Sequence, residues 1–442
     1  MTTQSVNLTE WETRGPKDDS ALAGPVLAGN LAAQQLAETL TKDGRIEILE
    51  LARGLEFRAS SFVGRFALGD LRVTIRPKIS GMPLMNLLRY AYRLRHLELF
   101  ADVGYAASSA SFEDLLIQQL AAEASELLTR GLHRDYLRTE STLTSPRGRI
   151  DFGRYLQVAS RAAVALPCVH HPRSMDTSLN RVLHGGLELA AGMTQDCELG
   201  GRIRRLAKSF VASITPRKLN AAGFDEAWHA LDRRTSAYRP ALTLIQLLLN
   251  TQGAALTDCP PNIAAAGFLF DMNRFFQALL LRFLNENLAG CDVQDEKILR
   301  GVFAYDPANN PRHCLPPKLR PDFLVLRNQR VVAVLDAKYR DLWETKLPRE
   351  MLYQLALYAM GQEGVEHRAA IIYPTLDKTA RQQIIFITDP LRGTAKAQVI
   401  LRPVNLHQLD ELLRAKDVQS QRDRIEFAHR LAFGSPPASS TN

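Results

Sequence analysis

The stretch that most constrains this chain is residues 318–358, where two short apolar runs flank a polar turn at 327–330. Each run carries one aspartate where a buried strand would normally be apolar. These are Asp322 and Asp336, and Lys338 follows two residues later. Paired apolar runs around a turn predict a β-hairpin. A carboxylate inside such a run is costly unless it has a partner. The stretch therefore predicts a hairpin that carries a charged site.

The numbering also predicts how these side chains meet. A three-residue turn at 328–330 would place Asp322 directly opposite Asp336. Residues opposed on an antiparallel pair have Cβ atoms about 4.5–5.5 Å apart. Because side chains alternate along a strand, Lys338 shares the face of Asp336. We expect two carboxylates and one ammonium on one patch.

This arrangement suits a divalent cation. Two like charges opposed on a strand pair destabilise it, and a cation between them reverses that effect. Mg²⁺ takes carboxylate oxygens and keeps several waters, with Mn²⁺ as the second cation to consider. The lysine could then position or deprotonate a water, or stabilise developing charge. The residues thus predict metal-assisted phosphodiester hydrolysis. The alternative is coincidence, since Asp-x-Lys arises by chance about once in a few hundred residues, but the matched register and the amphipathic helix pattern that follows favour a site.

Composition bounds the class of protein. A chain of 442 residues with 23% charged and 46% hydrophobic residues predicts a soluble protein of two or three domains. No apolar run approaches the 18 residues of a membrane span, and the start of the chain does not resemble a signal peptide. The five cysteines lack CxxC spacing, which predicts reduced thiols and a cytoplasmic location. A net charge of +8 is compatible with nucleic-acid binding.

The order of patterns predicts a mixed α+β chain with a β-rich amino-terminal module, a helical middle and an α/β carboxyl-terminal domain. We place the module at residues 1–105, the middle at 106–258 and the carboxyl-terminal domain at 259–425. Residues 426–442 are predicted to be a disordered tail, since their end is rich in Gly, Ser and Pro.

Two regions of the chain are basic. One is an arginine-rich loop or hairpin at residues 133–155, which could contact phosphate, contact an acidic protein partner or be solvated. The other is a helix at residues 82–99, whose arginines, considered alone, favour a solvated helix face. The contact candidates are Arg147 and Arg149 in the loop, and Arg89 and Arg93 in the helix.

Nine short motifs occur along the chain. They are IRPKI (75–79), LLRYAYRL (87–94), RGLHRDY (130–136), RGRID (147–151), LNRVL (179–183), FLFDMNRFFQ (268–277), RPDFLVL (320–326), VLDAKYR (334–340) and YQLALYA (353–359). With these motifs in this order, the chain resembles the McrC family over roughly residues 30 to 415. That family is the nuclease subunit of McrBC-type, modification-dependent (type IV) restriction systems, which act in anti-phage defence. The resemblance implies a PD-(D/E)XK nuclease as the carboxyl-terminal domain.

The resemblance also implies roles for individual residues. Asp322 and Asp336 would hold the metal, and the backbone carbonyl of Ala337 would add a ligand. Lys338 would serve the attacking water. Gln354 matches a glutamine of the following helix that orients active-site groups or touches DNA.

One position departs from the family. Members often carry a glutamate on the first core helix, where this chain has Gln277. An amide holds a cation less firmly than a carboxylate does, which leaves the number of metal ions in the site open. Gln277 also motivates an alternative function, a non-catalytic nuclease fold that regulates a motor. A third hypothesis is a nuclease that acts alone.

The family finally implies partners. McrC proteins resemble stoppers seated in the pore of a hexameric AAA+ motor, usually a GTPase, whose hydrolysis they stimulate. The β-rich amino-terminal half makes that insertion, so the 133–155 loop and the basic helix would face the motor. The expected substrate is double-stranded DNA, and no membrane is involved.

Overall fold

The structure of the protein is a computed structural model. It describes residues 4–24, 27, 29–94, 112–158, 165–194, 196–211, 214–252, 268–299, 302–361, 367–389 and 391–434. These residues form two compact units. The first combines the chain up to Leu94 with the chain from Thr251 onwards, and the second contains Glu113–Asn250. The predicted mixed α+β class is confirmed.

The amino-terminal part of the first unit is β-rich. Strands β1, β6 and β5 lie side by side, with β1 parallel to β6, while β2, β4 and β3 form a second sheet. Alternate residues such as Val6 and Leu8 face one shared apolar core, as period-two patterning requires. The elements are β1 (Gln4–Thr9), β2 (Thr13–Arg14), α1 (Leu31–Lys42), β3 (Ile46–Leu51), β4 (Gly54–Ala59), β5 (Phe62–Leu68), β6 (Leu71–Arg76) and α2 (Gly81–Ala91).

The second unit is mostly helical. Its interior includes buried polar contacts, in which the Tyr238 hydroxyl donates to Asn180 Oδ1 at 2.6 Å and accepts from the His133 N–H at 2.8 Å. Small sheets β8–β10–β9 and β11–β7 lie among the helices. The elements are α3 (Phe112–Arg130), β7 (Asp135–Tyr136), β8 (Thr139–Leu143), β9 (Arg149–Ile150), α4 (Phe152–Val158), β10 (Leu166–His170), β11 (Arg173–Ser174), α5 (Ser178–Met193), α6 (Cys197–Val211), α7 (Ala221–His229) and α8 (Arg239–Gln252).

The carboxyl-terminal part of the first unit is built on a six-stranded mixed sheet. The elements are β12 (Phe268–Asp271), α9 (Met272–Asn287), β13 (Asp292–Asp295), β14 (Phe323–Arg327), β15 (Arg330–Ala337), α10 (Arg349–Met360), β16 (Arg368–Thr375), β17 (Gln383–Thr388), β18 (Ala395–Asn405), α11 (Leu406–Arg414) and α12 (Val418–Phe433). The strand order is β13–β14–β15–β16–β18–β17, and β15, β16 and β18 run parallel.

Helices cover this sheet. Helix α10 packs on the face that carries Leu324, Val334 and Ile371, and α9 and α12 also contact β15. The last five residues of β15 are all buried, which is typical of a strand covered on both faces.

The two parts of the first unit share one sheet. Strand β12 pairs antiparallel with β5, and Leu269 lies in the amino-terminal core. The pairing needs glycine at position 64, where φ is 136° and a Cβ atom would lie 2.0 Å from the Phe268 carbonyl oxygen. Strand β12, which joins the sheet of the amino-terminal strands, is therefore followed directly by α9.

The prediction of a disordered tail at residues 426–442 is wrong for residues 426–434. Helix α12 runs to Phe433, and Gly434, with φ of 80°, ends it in the left-handed conformation. Phe427 and Leu431 are buried, and the Phe427 ring lies 5.8 Å from that of Phe283 on α9. This apolar stripe holds the helix in place, so the carboxyl-terminal domain extends past residue 425. Residues 435–442 lie outside the described residues.

None of the helices in the described ranges is both long and apolar enough to cross a bilayer.

Candidate active site

The predicted hairpin is present, with one difference in its turn. Strands β14 and β15 pair from Arg327 and Arg330, so the turn has two residues, Asn328 and Gln329, both at positive φ. This geometry matches the right-handed strand twist, and the predicted three-residue turn is wrong. A register shift between Leu326 and Val325 then adds one residue to β15. Continued past the last pair, the shifted register sets position 322 opposite 336, as predicted.

The three charged side chains of the hairpin meet. Lys338 Nζ lies 3.1 Å from Asp336 Oδ2 and 3.8 Å from Asp322 Oδ2. Asp322 Oδ2 also accepts the backbone N–H of Ala337 at 2.7 Å. The Asp336 side chain is only 2% exposed, and its Oδ1 is buried without a hydrogen-bond partner among the described residues. One ammonium thus lies within reach of two carboxylates, one of them incompletely paired.

Burial and like charge decide the electrostatics of this cluster. Burial, and then the negative charge of Asp322, raise the pKa of Asp336 to about 6, against the opposing effect of Lys338. For Lys338, burial works to lower the pKa of the ammonium, but the two aspartates outweigh it and the pKa is raised. The lysine is therefore held as a cation, while Asp336 is ionised at a cost.

The donor set fits a hard divalent cation. Mg²⁺ is commonly held by one or two carboxylates with waters completing the shell, and the unpaired Asp336 Oδ1 offers such an oxygen. Continued two residues past its last pair, the hairpin register sets Pro321 opposite Ala337, and proline has no N–H to donate to the Ala337 carbonyl. Within the described ranges no group of three or more His, Cys, Asp or Glu side chains could hold a metal. The hairpin carboxylates thus offer two protein carboxylate ligands.

Gln354 is connected to the start of the hairpin by hydrogen bonds through Tyr358. Its Nε2 donates to the Tyr358 hydroxyl at 2.6 Å, and that hydroxyl donates to the Arg320 carbonyl at 3.0 Å. Burial raises the pKa of Tyr358, and the negative charges of Asp336 and Asp322 raise it further, against the effect of the Gln354 hydrogen bond. Sequence reasoning missed Tyr358, although its spacing of four residues from Gln354 places both on one helix face.

Gln277 and Asn273 lie one turn apart on α9. Among the described contacts, no hydrogen bond joins Gln277 to the hairpin carboxylates or Lys338, so its role remains a prediction. Asn273 does reach the hairpin, because its Oδ1 accepts the Tyr339 N–H at 3.0 Å. Its Nδ2 donates to Ser61 Oγ at 2.7 Å. Sequence reasoning missed Asn273, although it stands within the FLFDMNRFFQ motif.

The four candidate contact arginines differ in exposure. Arg147, Arg149 and Arg93 are exposed. Arg89 is only 5% exposed, so its predicted partner contact is wrong. It follows the fully buried Met85 by one turn of α2, which turns its side chain inward.

Comparison with known proteins gives one family and a structural likeness. The family model described as "McrBC 5-methylcytosine restriction system component" matches residues 57–374. No curated protein matches significantly. A chain of the assembly of Thermococcus gammatolerans McrB AAA+ hexamers with bound McrC is similar with a TM-score of 0.62 and 19% identity, covering 95% of this chain and 98% of that one. A chain of the Thermococcus gammatolerans McrBC complex gives a TM-score of 0.49 and 20% identity, covering 65% of this chain and 88% of that one. At 19% identity, the first likeness shows a shared fold.

Proposed function

The chain belongs to the family of McrBC 5-methylcytosine restriction system components, and from this premise we propose that it is the DNA-cleaving subunit of such a system. It hydrolyses phosphodiester bonds with Mg²⁺ and works together with an AAA+ NTPase. The observation that carries this proposal is the convergence of Asp322, Asp336 and Lys338 on one hairpin. Family membership alone would leave the reaction open.

The residues divide the chemistry among them. Asp322 and Asp336 would hold the cation, with the Ala337 carbonyl as a further oxygen ligand. A Mg²⁺ ion bound there would polarise the phosphate and lower the pKa of a coordinated water. While it is protonated, Lys338 has three hydrogen-bond donors and no acceptor, and its raised pKa supports that state. It therefore orients water or stabilises negative charge on the phosphate, rather than taking up a proton.

Tyr358 and Gln354 shape the side of the site next to α10. The Tyr358 hydroxyl, oriented by the Arg320 carbonyl and the Gln354 amide, fixes the helix against the start of the hairpin. This leaves the exposed surface of α10, which includes Tyr353 at 62% exposure, available to the DNA.

The proposed partner rests on the family and on the solved assembly. McrB AAA+ hexamers with bound McrC form that assembly in Thermococcus gammatolerans, and we extend the arrangement to this chain. The β-rich amino-terminal module enters the motor, and Arg147, Arg149 and Arg93 are available on the surface for motor or phosphate contact.

The test is cleavage by the reconstituted complex. Asp336→Asn and Lys338→Gln should each lower Mg²⁺-dependent DNA cleavage at least about 100-fold, a typical loss when one electrostatic catalytic group is removed. Both variants should still stimulate the motor's NTP hydrolysis. Asp292→Asn, an exposed aspartate on β13 of the same sheet, is the matched control and should cleave normally. Undiminished cleavage by both hairpin variants would reject the proposal.

A non-catalytic regulator is the second candidate function. It is favoured by Lys338, which already lies within 4.0 Å of both carboxylates and so compensates part of their charge. Under this alternative the wild-type complex stimulates NTP hydrolysis but cleaves no DNA with Mg²⁺ or Mn²⁺. Cleavage by the chain without any NTPase would instead identify a nuclease that acts alone.

A further inference from the structure

The peptide groups on both sides of Lys338 are fixed by hydrogen bonds. The Lys338 N–H donates to the Ile372 carbonyl of β16 at 3.0 Å. The next N–H, that of Tyr339, donates to Asn273 Oδ1 at 3.0 Å. Because these two peptide planes set the backbone dihedrals of Lys338, they set the direction in which its side chain leaves the chain.

The second of these contacts depends on the amino-terminal module. Asn273 Nδ2 donates to the hydroxyl of Ser61, which lies between β4 and β5 and is 3% exposed. The Ser61 carbonyl in turn accepts the Met272 N–H at 3.1 Å. The amide that receives the Tyr339 N–H is thus oriented by Ser61.

Glu10 makes a separate connection from the same module. It stands directly after β1, is 2% exposed, and its Oε1 accepts both the Lys78 N–H at 2.8 Å and the Tyr339 hydroxyl at 3.1 Å. Lys78 comes two residues after β6. One carboxylate therefore joins the ends of β1 and β6 to the residue that follows Lys338.

The neighbouring residues add two weaker contacts between the same segments. The Arg340 guanidinium lies 5.3 Å from the Trp11 ring centroid, a cation–π distance. Lys78 Nζ lies 3.4 Å from Glu344 Oε2. The chain just after the catalytic lysine is therefore held by the amino-terminal module at several points.

These contacts have a cost. A carboxyl group as buried as Glu10 is desolvated, which raises its pKa to about 7 despite the hydrogen bonds from Lys78 and Tyr339 and the positive charge of Lys78. A neutral apolar residue would avoid that penalty. What the carboxylate adds is direction, since it accepts from two donors that belong to different parts of the first unit.

We propose that Glu10 and Ser61 are positioning residues for Lys338, acting through Tyr339 and Asn273, so that DNA cleavage at the carboxyl-terminal site depends on contacts made by the amino-terminal module. The inference rests on the proposed nuclease function. It adds that a partner holding the module acts on the site through residues 339 and 340.

The test uses the full chain reconstituted with its AAA+ partner. Tyr339→Phe removes one hydroxyl, and Glu10→Ala removes its acceptor. Each should lower the DNA cleavage rate at least about tenfold, since a small misplacement of a catalytic group is costly. Stimulation of NTP hydrolysis should stay within about twofold. Glu10→Gln keeps an oxygen acceptor for both donors and should restore most of the cleavage lost in Glu10→Ala.

Tyr238→Phe is the matched control. Like Tyr339→Phe, it removes a buried tyrosine hydroxyl, but this hydroxyl lies in the second unit and has two hydrogen-bond partners, Asn180 and His133. It should leave cleavage unchanged. Amide hydrogen exchange of residues 334–342 gives a readout without catalysis. Exchange there should be faster in Tyr339→Phe and Glu10→Ala and unchanged in Tyr238→Phe.

Three outcomes would overturn the inference. In the first, Tyr339→Phe and Glu10→Ala cleave like the wild type. In the second, cleavage and NTPase stimulation fall together, which indicates general loss of structure. In the third, Glu10→Gln is as defective as Glu10→Ala. If Glu10→Ala does not fold, Ser61→Ala takes its place with the same expected pattern. A wild-type complex that cleaves no DNA at all would instead reject the nuclease function itself.

Discussion

Asp336 is a carboxyl group whose ionised form the fold opposes. It is buried and faces Asp322, and among the residues that the structure describes, Lys338 is the cation that compensates it directly. With all three groups ionised the cluster carries one net negative charge, so a divalent cation would meet opposite charge in a poorly solvated place. We therefore expect cation binding and folding stability to be linked at this site.

Adding Mg²⁺ should raise the unfolding temperature of the wild-type chain. At a free concentration 100 times Kd, the gain in unfolding free energy is about 2.7 kcal/mol. Asp336→Asn should lose most of this gain, because one ligand is removed. Thermal unfolding at several Mg²⁺ concentrations measures the effect. Asp292→Asn should respond like the wild type, and an equal response in Asp336→Asn would place the cation elsewhere.

Glu10 predicts a pH-dependent stability. Its pKa is raised from 4.5 unfolded to about 7 folded, so the folded state binds more protons in between. The stabilising contribution of Glu10 is complete below pH 4.5 and is lost as the pH rises through about 7. Glu10→Gln stays neutral, so its unfolding free energy relative to the wild type should rise by up to about 3 kcal/mol from pH 4.5 to pH 8.

Denaturant unfolding at several pH values measures this difference. Glu38→Gln changes the same charge at an exposed position of α1 and should show no comparable trend. A flat difference between Glu10→Gln and the wild type would mean that Glu10 is not buried as described.

Some site residues could be found from the sequence and others could not. Asp322, Asp336 and Lys338 lie within one hairpin, so strand periodicity alone brings them together. The bond from Tyr339 to Glu10 joins residues 329 positions apart, and the bond from Tyr339 to Asn273 spans 66. No local pattern marks such a pair, because the contact exists only after the sheets have packed.

At the scale of elements, the length of the hairpin turn was predicted wrongly, but the pairing of residue 322 with residue 336 agrees with the register of the strands. The turn is one residue shorter than predicted, and the shift between Val325 and Leu326 compensates. A one-residue slip would move every side chain of β15 to the opposite face. The buried rows of β15 therefore fix the register near the site, and the irregularity is placed towards the turn.

The tail shows the opposite error. The composition of residues 426–442 suggested disorder, because the Gly, Ser and Pro residues at its end dominated the pattern. The apolar residues Phe427 and Leu431 carry the helical spacing, but they belong to a helix that starts earlier, at Val418. Because the predicted domain boundary at residue 425 lies inside this helix, the helical spacing of its apolar residues was divided between two segments.

The contact of β5 with β12 predicts a large effect of one methyl group. Gly64→Ala would place Cβ 2.0 Å from the Phe268 carbonyl oxygen at a φ of 136°, which the strands can relieve only by separating. We expect a loss of at least about 3 kcal/mol of unfolding free energy. Denaturant unfolding measures it.

Gly44→Ala is the matched control. Gly44 also has a positive φ, 67°, but no atom lies within 4 Å of its added Cβ. It should cost about 1 kcal/mol, the backbone preference alone. Equal losses for the two variants would show that the β5–β12 contact is not close.

For the whole molecule, the order of domains along the chain differs from their grouping. The β-rich module and the carboxyl-terminal domain belong to one compact unit, and the helical unit lies between them in sequence. The family match from residue 57 to residue 374 crosses both units. We therefore expect that a carboxyl-terminal fragment does not fold by itself.

Fragments should complement one another. Residues 253–442 alone should be poorly folded, because β12 loses its pairing with β5 and Leu269 loses the amino-terminal core. Coexpression with residues 1–252 should restore a soluble complex, measured by copurification. Leu269→Asp in the carboxyl-terminal fragment should prevent this, since it buries a charge in an apolar core. A folded 253–442 fragment on its own would contradict the prediction.

The β5–β12 pairing also has a consequence in time. Gly64 pairs with Leu269, 205 residues later, and ribosomes add about 5–20 residues per second. The edge of β5 that pairs with β12 therefore stays unpaired for about 10–40 s during synthesis. An unpaired strand edge is prone to pair with other chains. Lys338 emerges later still. A nascent chain thus passes through a period in which it needs protection from aggregation. Under the proposed function, it has no assembled site in that period with which to cut the DNA of its own cell.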